Sequence, residues 1–103
     1  MMLGEKLRKQ RRFKNLTLEK LAVEAETTKG YVWELEKGKT SRPSAKILSR
    51  IARVLEITID YLMDDSKKDF TDDDKHQYFL QRVSNLNVSK RQQVERFLNA
   101  IEQ

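Results

Sequence analysis

Cysteine is absent from the 103 residues, which excludes a disulfide framework and a thiolate metal site and suits a reducing compartment. Long apolar runs are absent too, so no segment approaches membrane-spanning length. Charged Glu5, Lys6, Arg8 and Lys9 follow Met1-Met2-Leu3 at once, leaving no apolar region for a signal peptide. Glycine occurs three times, and none of the three builds a phosphate-cradling loop. The single histidine, His76, stands on a polar helix start and reads as a surface residue rather than a ligand. Asp72-Asp73-Asp74 lacks the spacing and glycine of a calcium loop. No nucleophile is paired with a base. A cytoplasmic protein is expected, with no membrane contact, no catalytic residue, no metal and no cofactor.

Strand-like alternation is also missing, and apolar residues recur at helical spacing instead. Leu3, Leu7, Gln10 and Arg11 mark one side of a first helix over roughly residues 2–14, with Phe13 near its end. Thr17 is a good N-cap for a second helix carrying Leu18, Leu21, Ala22 and Ala25. Thr27-Thr28 opens a third that runs to Lys37, and Gly38 is placed to end it in the left-handed conformation. After the loop Lys39-Thr40-Ser41-Arg42-Pro43, Ser44 caps a fourth helix with Ala45, Leu48, Ile51, Ala52 and Leu55 on one face. Thr58 caps a short fifth one with Ile59, Tyr61, Leu62 and Met63.

Residues 64–74 are the one clear composition shift and read as a linker, its last aspartates opening a sixth helix over roughly 72–85. That helix presents Phe79, Val83 and Leu86. Ser89-Lys90-Arg91-Gln92 has the form of a capping box and introduces a seventh helix striped with Val94, Phe97, Leu98 and Ile101. The expected architecture is all-α, a five-helix unit followed by a C-terminal helical hairpin. Residues 1–65 form the first domain, 66–73 the linker, and 74–103 an oligomerisation or partner-binding segment.

Charge divides the chain the same way. Residues 1–63 hold 14 Lys/Arg against 8 Asp/Glu, whereas residues 64–103 hold 7 against 8. A basic first half fits a polyanion-binding module, although an ordinary solvated surface has the same signature. Residues 17–38 sharpen the choice: a short helix, a tight turn and a second helix are the layout of a DNA-reading helix-turn-helix.

Leu16-Thr17-Leu18-Glu19-Lys20-Leu21-Ala22, Thr28 to Lys39, Pro43-Ser44 and Ile51 to Leu62 together resemble the Cro/lambda-repressor-type helix-turn-helix, the xenobiotic-response-element family. The likeness covers residues 3–63. It implies that Arg11 and Glu36 pair across the domain, against the reading of two unrelated surface charges. Ala22 is small where the third helix crosses the second, and Val32 and Leu35 plug the third into the core. Departures from the family pattern are Glu26 and Glu56, where glycine is usual, and Leu18, where a glutamine often contacts DNA.

The resemblance places Lys29, Gly30, Trp33 and Glu34 against base edges in the major groove. Lys29 can donate to guanine and Glu34 can accept from cytosine. Gly30 permits close backbone approach or simply gives up a reader, and Trp33 either meets DNA or packs on the protein. Thr28 suits a phosphate at a helix N-terminus. Lys39, Thr40, Ser41 and Arg42 follow where the loop should run beside the DNA backbone, and Arg11 is a further phosphate candidate. Phe79, Val83, Val94, Phe97, Leu98 and Ile101 need cover, with a second copy of the chain as first candidate. The leading expectation is a homodimeric repressor of double-stranded DNA with a palindromic operator. An autoregulating antitoxin using residues 64–103 on a toxin comes second, and an antirepressor is a further possible partner. A non-DNA module on the same fold comes third, but it would forgo the positive residues retained at 29, 39 and 42.

Overall fold

Six short polar side chains punctuate the backbone, and every helix after the first begins where one of them stands. In a computed structural model that describes residues 2–40 and 42–103, the chain forms α1 (Leu3–Phe13), α2 (Leu18–Glu24), α3 (Lys29–Lys37), α4 (Ala45–Leu55), α5 (Ile59–Met63), α6 (Asp72–Ser84) and α7 (Val88–Glu102). No strand occurs among the described residues. Thr17, Thr28, Ser44, Thr58, Thr71 and Asn87 each accept a hydrogen bond from the amide three residues ahead. Each such cap stabilises its helix by about 1 kcal/mol, because it satisfies a donor with no intrahelical partner.

The last of these corrects the sequence reading. Ser89 does not open α7; Asn87 does, accepting from the Lys90 amide at 2.8 Å. Asn and Ser are comparable caps. Starting two residues earlier adds the backbone bond from the Arg91 N–H to the Asn87 carbonyl, 2.9 Å, so the earlier cap prevails. The capping box belongs to α6 instead, where Thr71 and Asp74 satisfy each other's backbone amides.

Helices α1 to α5 enclose one core, built on Leu7, Leu21, Ala22, Val32, Leu35, Leu48, Ile51, Leu55 and Leu62. The two glutamates at glycine-like positions do adopt left-handed backbone, with φ of 57° at Glu26 and 59° at Glu56. That conformation costs about 1 kcal/mol for a residue with a Cβ. Each side chain makes an ion pair, Glu26 with Arg50 at 3.3 Å and Glu56 with Lys14 at 2.7 Å. The Lys14 ammonium holds the Glu56 carboxyl below its ordinary pKa.

Residues 64–74 are strapped to this core. Lys6 is fully buried under Tyr61, its ammonium donating to the carbonyl of Tyr61 at 2.7 Å and to that of Asp64. The Tyr61 hydroxyl donates to the Lys68 carbonyl at 2.8 Å, and Phe70 stands edge-on to its ring at 5.1 Å. Burial pushes the Tyr61 phenol above its ordinary pKa. Lys9 pairs with Asp69 at 2.6 Å, and Lys67 with Asp74.

Beyond the strap, α6 and α7 bury only Asp74. The molecule measures 51 × 28 × 25 Å with a radius of gyration of 15.7 Å. A chain of this length packed into one sphere has about 13 Å, so the hairpin projects from the five-helix unit. No helix of the described residues is long and apolar enough to cross a membrane.

Candidate nucleic-acid interface

The helix α3 divides its residues by periodicity. Val32 and Leu35 point into the core with 0% and 2% exposure, and Tyr31 is half-buried. The Tyr31 hydroxyl accepts from the Ser44 amide at 2.9 Å, which ties α3 to the start of α4. Lys29, Gly30, Trp33 and Glu34 are left on one exposed face, as positions i, i+1, i+4 and i+5 of a helix must be.

Two contacts from α1 hold that face at a fixed angle. The first is Arg11 from α1. Its Nε donates to Glu36 Oε2 at 2.6 Å, a terminal nitrogen to Glu36 Oε1 at 3.1 Å, and the other to the Leu16 carbonyl at 2.8 Å. The two side chains are only 11% and 5% exposed, so this bidentate pair is structural, and Arg11 offers little surface to a phosphate. The second is Gly4, where α1 crosses α3. A Cβ there would lie 2.4 Å from the Glu36 carbonyl oxygen and 2.6 Å from that of Leu35. Nothing but glycine lets the two helices approach so closely. Gly4 is not among the residues that periodicity singles out, although its spacing from Leu7 and Arg11 places it on the core side of α1.

The loop after α3 carries further positive charge. Lys39 is exposed and its ammonium sits 5.0 Å from the centroid of the Trp33 ring, a cation–π contact. Trp33 is therefore half-exposed and partnered within the protein, an arrangement not legible from residue spacing. Arg42 is exposed beyond it, whereas Thr40 is half-buried and its hydroxyl is shut from solvent without a partner among the described residues. Ser41 lies outside the described residues, as does Met1. Thr28 spends its side chain on the Tyr31 amide at 3.1 Å. Lys29 reaches Glu19 of α2 at 3.5 Å, an exposed and loose pair. Leu18 packs against the core.

On the hairpin, Phe79, Phe97, Leu98 and Ile101 are all more than half exposed, and Val83 and Val94 half-buried. Leu80 and Val88 join the exposed apolar set, which the stripe expected from sequence did not include. The structure brings none of these residues onto the five-helix core.

Known proteins share this layout. The family model of the helix-turn-helix domain matches residues 4–66. The HTH-type transcriptional regulator SinR of Bacillus subtilis is 26% identical over 94 residues, which is 88% of this chain and 85% of that protein. A crystal structure of SinR, the master regulator for biofilm formation, in complex with DNA superposes with a TM-score of 0.59 at 28% identity, covering 61% of this chain and all of that one. The complex of the SinR and SinI proteins, 19% identical with a TM-score of 0.62 over 98% of both chains, shows that the fold extends through the hairpin. These likenesses fix a Cro/lambda-repressor-like helix-turn-helix with a C-terminal helical part, homologous to SinR.

Proposed function

The chain belongs to the helix-turn-helix domain family, and on that premise we propose that it is a non-enzymatic transcriptional regulator of the cytoplasm, a homodimeric repressor of a palindromic double-stranded DNA operator. The observation that carries this reading is the exposed face of α3, held rigid by the Arg11–Glu36 pair and the Gly4 crossing. Lys29 and Glu34 supply a donor and an acceptor for base edges, with Gly30 and Trp33 beside them. Lys39 and Arg42 flank them as phosphate clamps, with the Thr28 end of α3 beside them, whereas Thr40, its hydroxyl shut from solvent, is not offered to a phosphate. DNA in a SinR crystal structure supports the assignment. The antitoxin alternative gains no support from relatives that are named as transcriptional regulators.

One helix-turn-helix reads one half-site, so a second copy is needed. Residues 1–65 would bind DNA, 66–73 connect, and 74–103 pair. The exposed apolar residues of α6 and α7 supply the pairing surface, since helices of this length are marginal alone.

The test is anisotropy titration of duplex taken from upstream of the protein's own gene against random duplex, across salt. With about six phosphates neutralised, affinity should fall roughly a thousandfold between 50 and 200 mM salt. Salt-insensitive binding, or equal affinity for both duplexes, refutes the specific-repressor reading. Leu98→Glu should convert a dimer into a monomer by mass measurement; a dimer that survives it moves the pairing surface elsewhere.

A further inference from the structure

A groove of about 690 Å³ runs between the α4–α5 corner and α6, and none of its lining residues belongs to α3. It lies within the 300–1,000 Å³ range of small-molecule sites. Arg50 and Arg53 enter from α4 and Arg82 from α6, with Asp60 and Tyr78 beside them and Ile57 on the apolar floor. Arg50 is engaged by Glu26 at 3.3 Å, and Glu56 near Arg82 is engaged by Lys14 at 2.7 Å. Arg53 and Arg82 have no ion-pair partner among the described residues. Arg82 is steadied instead by the Tyr78 ring, 5.7 Å from its centroid. Three guanidiniums, one of them engaged by Glu26, thus line the groove together with one carboxylate, Asp60.

We propose that this groove binds a small organic anion that also carries hydroxyl groups, a phosphate monoester or a carboxylate. Guanidiniums bind phosphate and carboxylate through paired N–H donors, which suits Arg53 and Arg82 to the anionic head. Asp60 is an acceptor and would repel a second charge, so the occupant must offer hydroxyl donors to it. The Ile57 floor takes the carbon face of such a molecule. Because one wall belongs to the DNA-binding unit and the other to α6, an occupant ties the two together and sets how the hairpin stands on the five-helix unit. If the hairpin pairs two copies, the ligand thereby sets the spacing of the two α3 helices on DNA. That regulatory consequence rests on the function proposed above; the ligand site does not.

The full chain is heated at constant ionic strength with about 10 mM glucose 6-phosphate, gluconate or glucose, since a ligand bound only by the folded state raises Tm. At least one of the two anions should raise Tm by several degrees and glucose should not; which anion does so separates the phosphate class from the carboxylate class. Arg53→Gln/Arg82→Gln should abolish the shift, and Lys39→Gln/Arg42→Gln should keep it while losing DNA affinity. No shift with either anion overturns the proposal. So does a shift that survives Arg53→Gln/Arg82→Gln, or one lost only with Lys39→Gln/Arg42→Gln, which would put the anion on the DNA-facing surface. DNA affinity of the unmodified chain is read separately, so the ligand site can fail while the DNA reading stands.

Discussion

Replacing Gly4 by alanine sets two known effects against each other, and the structure decides the sign. Alanine in a helix is favoured over glycine by up to about 1 kcal/mol, and less in the first turn, where Gly4 lies. Against this, the new methyl would sit 2.4 Å and 2.6 Å from two carbonyl oxygens of α3 and 2.8 Å from the Glu36 carbonyl carbon. These are backbone atoms, so no rotamer change relieves the clash, and α1 and α3 must separate. Overpacking of this kind costs about 1–3 kcal/mol. The net expectation is a loss of roughly 1–2 kcal/mol, which in a domain of this size lowers Tm by roughly 5–15 °C. Thermal unfolding of the full chain followed by circular dichroism reads it directly. Gly30→Ala is the internal control: a Cβ there meets nothing within 4 Å, so that variant should be as stable as the parent or more so. If Gly4→Ala melts at or above the parent temperature, the close crossing of α1 on α3 does not exist as described.

Glu36→Ala should cost about 3 kcal/mol in denaturant unfolding, because it strands the nearly buried Arg11 guanidinium. A much smaller loss would mean that Arg11 swings to solvent. Lys39→Ala should weaken binding to all duplexes alike and lower the salt slope by about one, whereas Lys29→Ala should relax preference at one base pair; anisotropy on operator variants separates the two. In Asp74, burial pushes the carboxyl pKa up, but hydrogen bonds from Lys67 and from the Thr71 amide and hydroxyl bring it below its ordinary value. Its stabilising share is therefore complete above about pH 4, the unfolded aspartate pKa, and is lost as pH falls through the lower folded value. Amide exchange at the start of α6 should accelerate in that acid window, and Asp74→Asn should remove the pH dependence; unchanged exchange there would show that the capping box does not hold α6.

Much of the fold was legible because its signals are local. Caps at Thr17, Thr28, Ser44 and Thr58 act on amides three residues away, and the apolar spacing of α2 to α4 names the buried faces without reference to anything distant. The Arg11–Glu36 partnership could be read only through a family likeness, since it joins residues 25 apart in the chain. Where two caps compete within three residues, as Asn87 and Ser89 do, propensities are nearly equal and backbone bonding settles the matter. The candidate interface was legible as a set of exposed positions on α3, but not as an arrangement. Neither Lys39 stacked on Trp33 nor Thr40 turned inward follows from helical period, because both depend on how the loop folds back.

What the sequence by itself determined is the all-α class, the helix-turn-helix, the basic first half, and an apolar stripe on the last helix that demands cover. Those follow from period, capping and charge, which depend on neighbours in the chain. Only the tertiary structure decided that residues 64–74 are strapped down by a buried Lys6 and Tyr61, and that Gly4 is the contact point of α1 with α3. Only it collects Arg53 and Arg82 from separate helices around one groove. These features come from groups tens of residues apart, brought within bonding distance when the core closes, and no local preference encodes them.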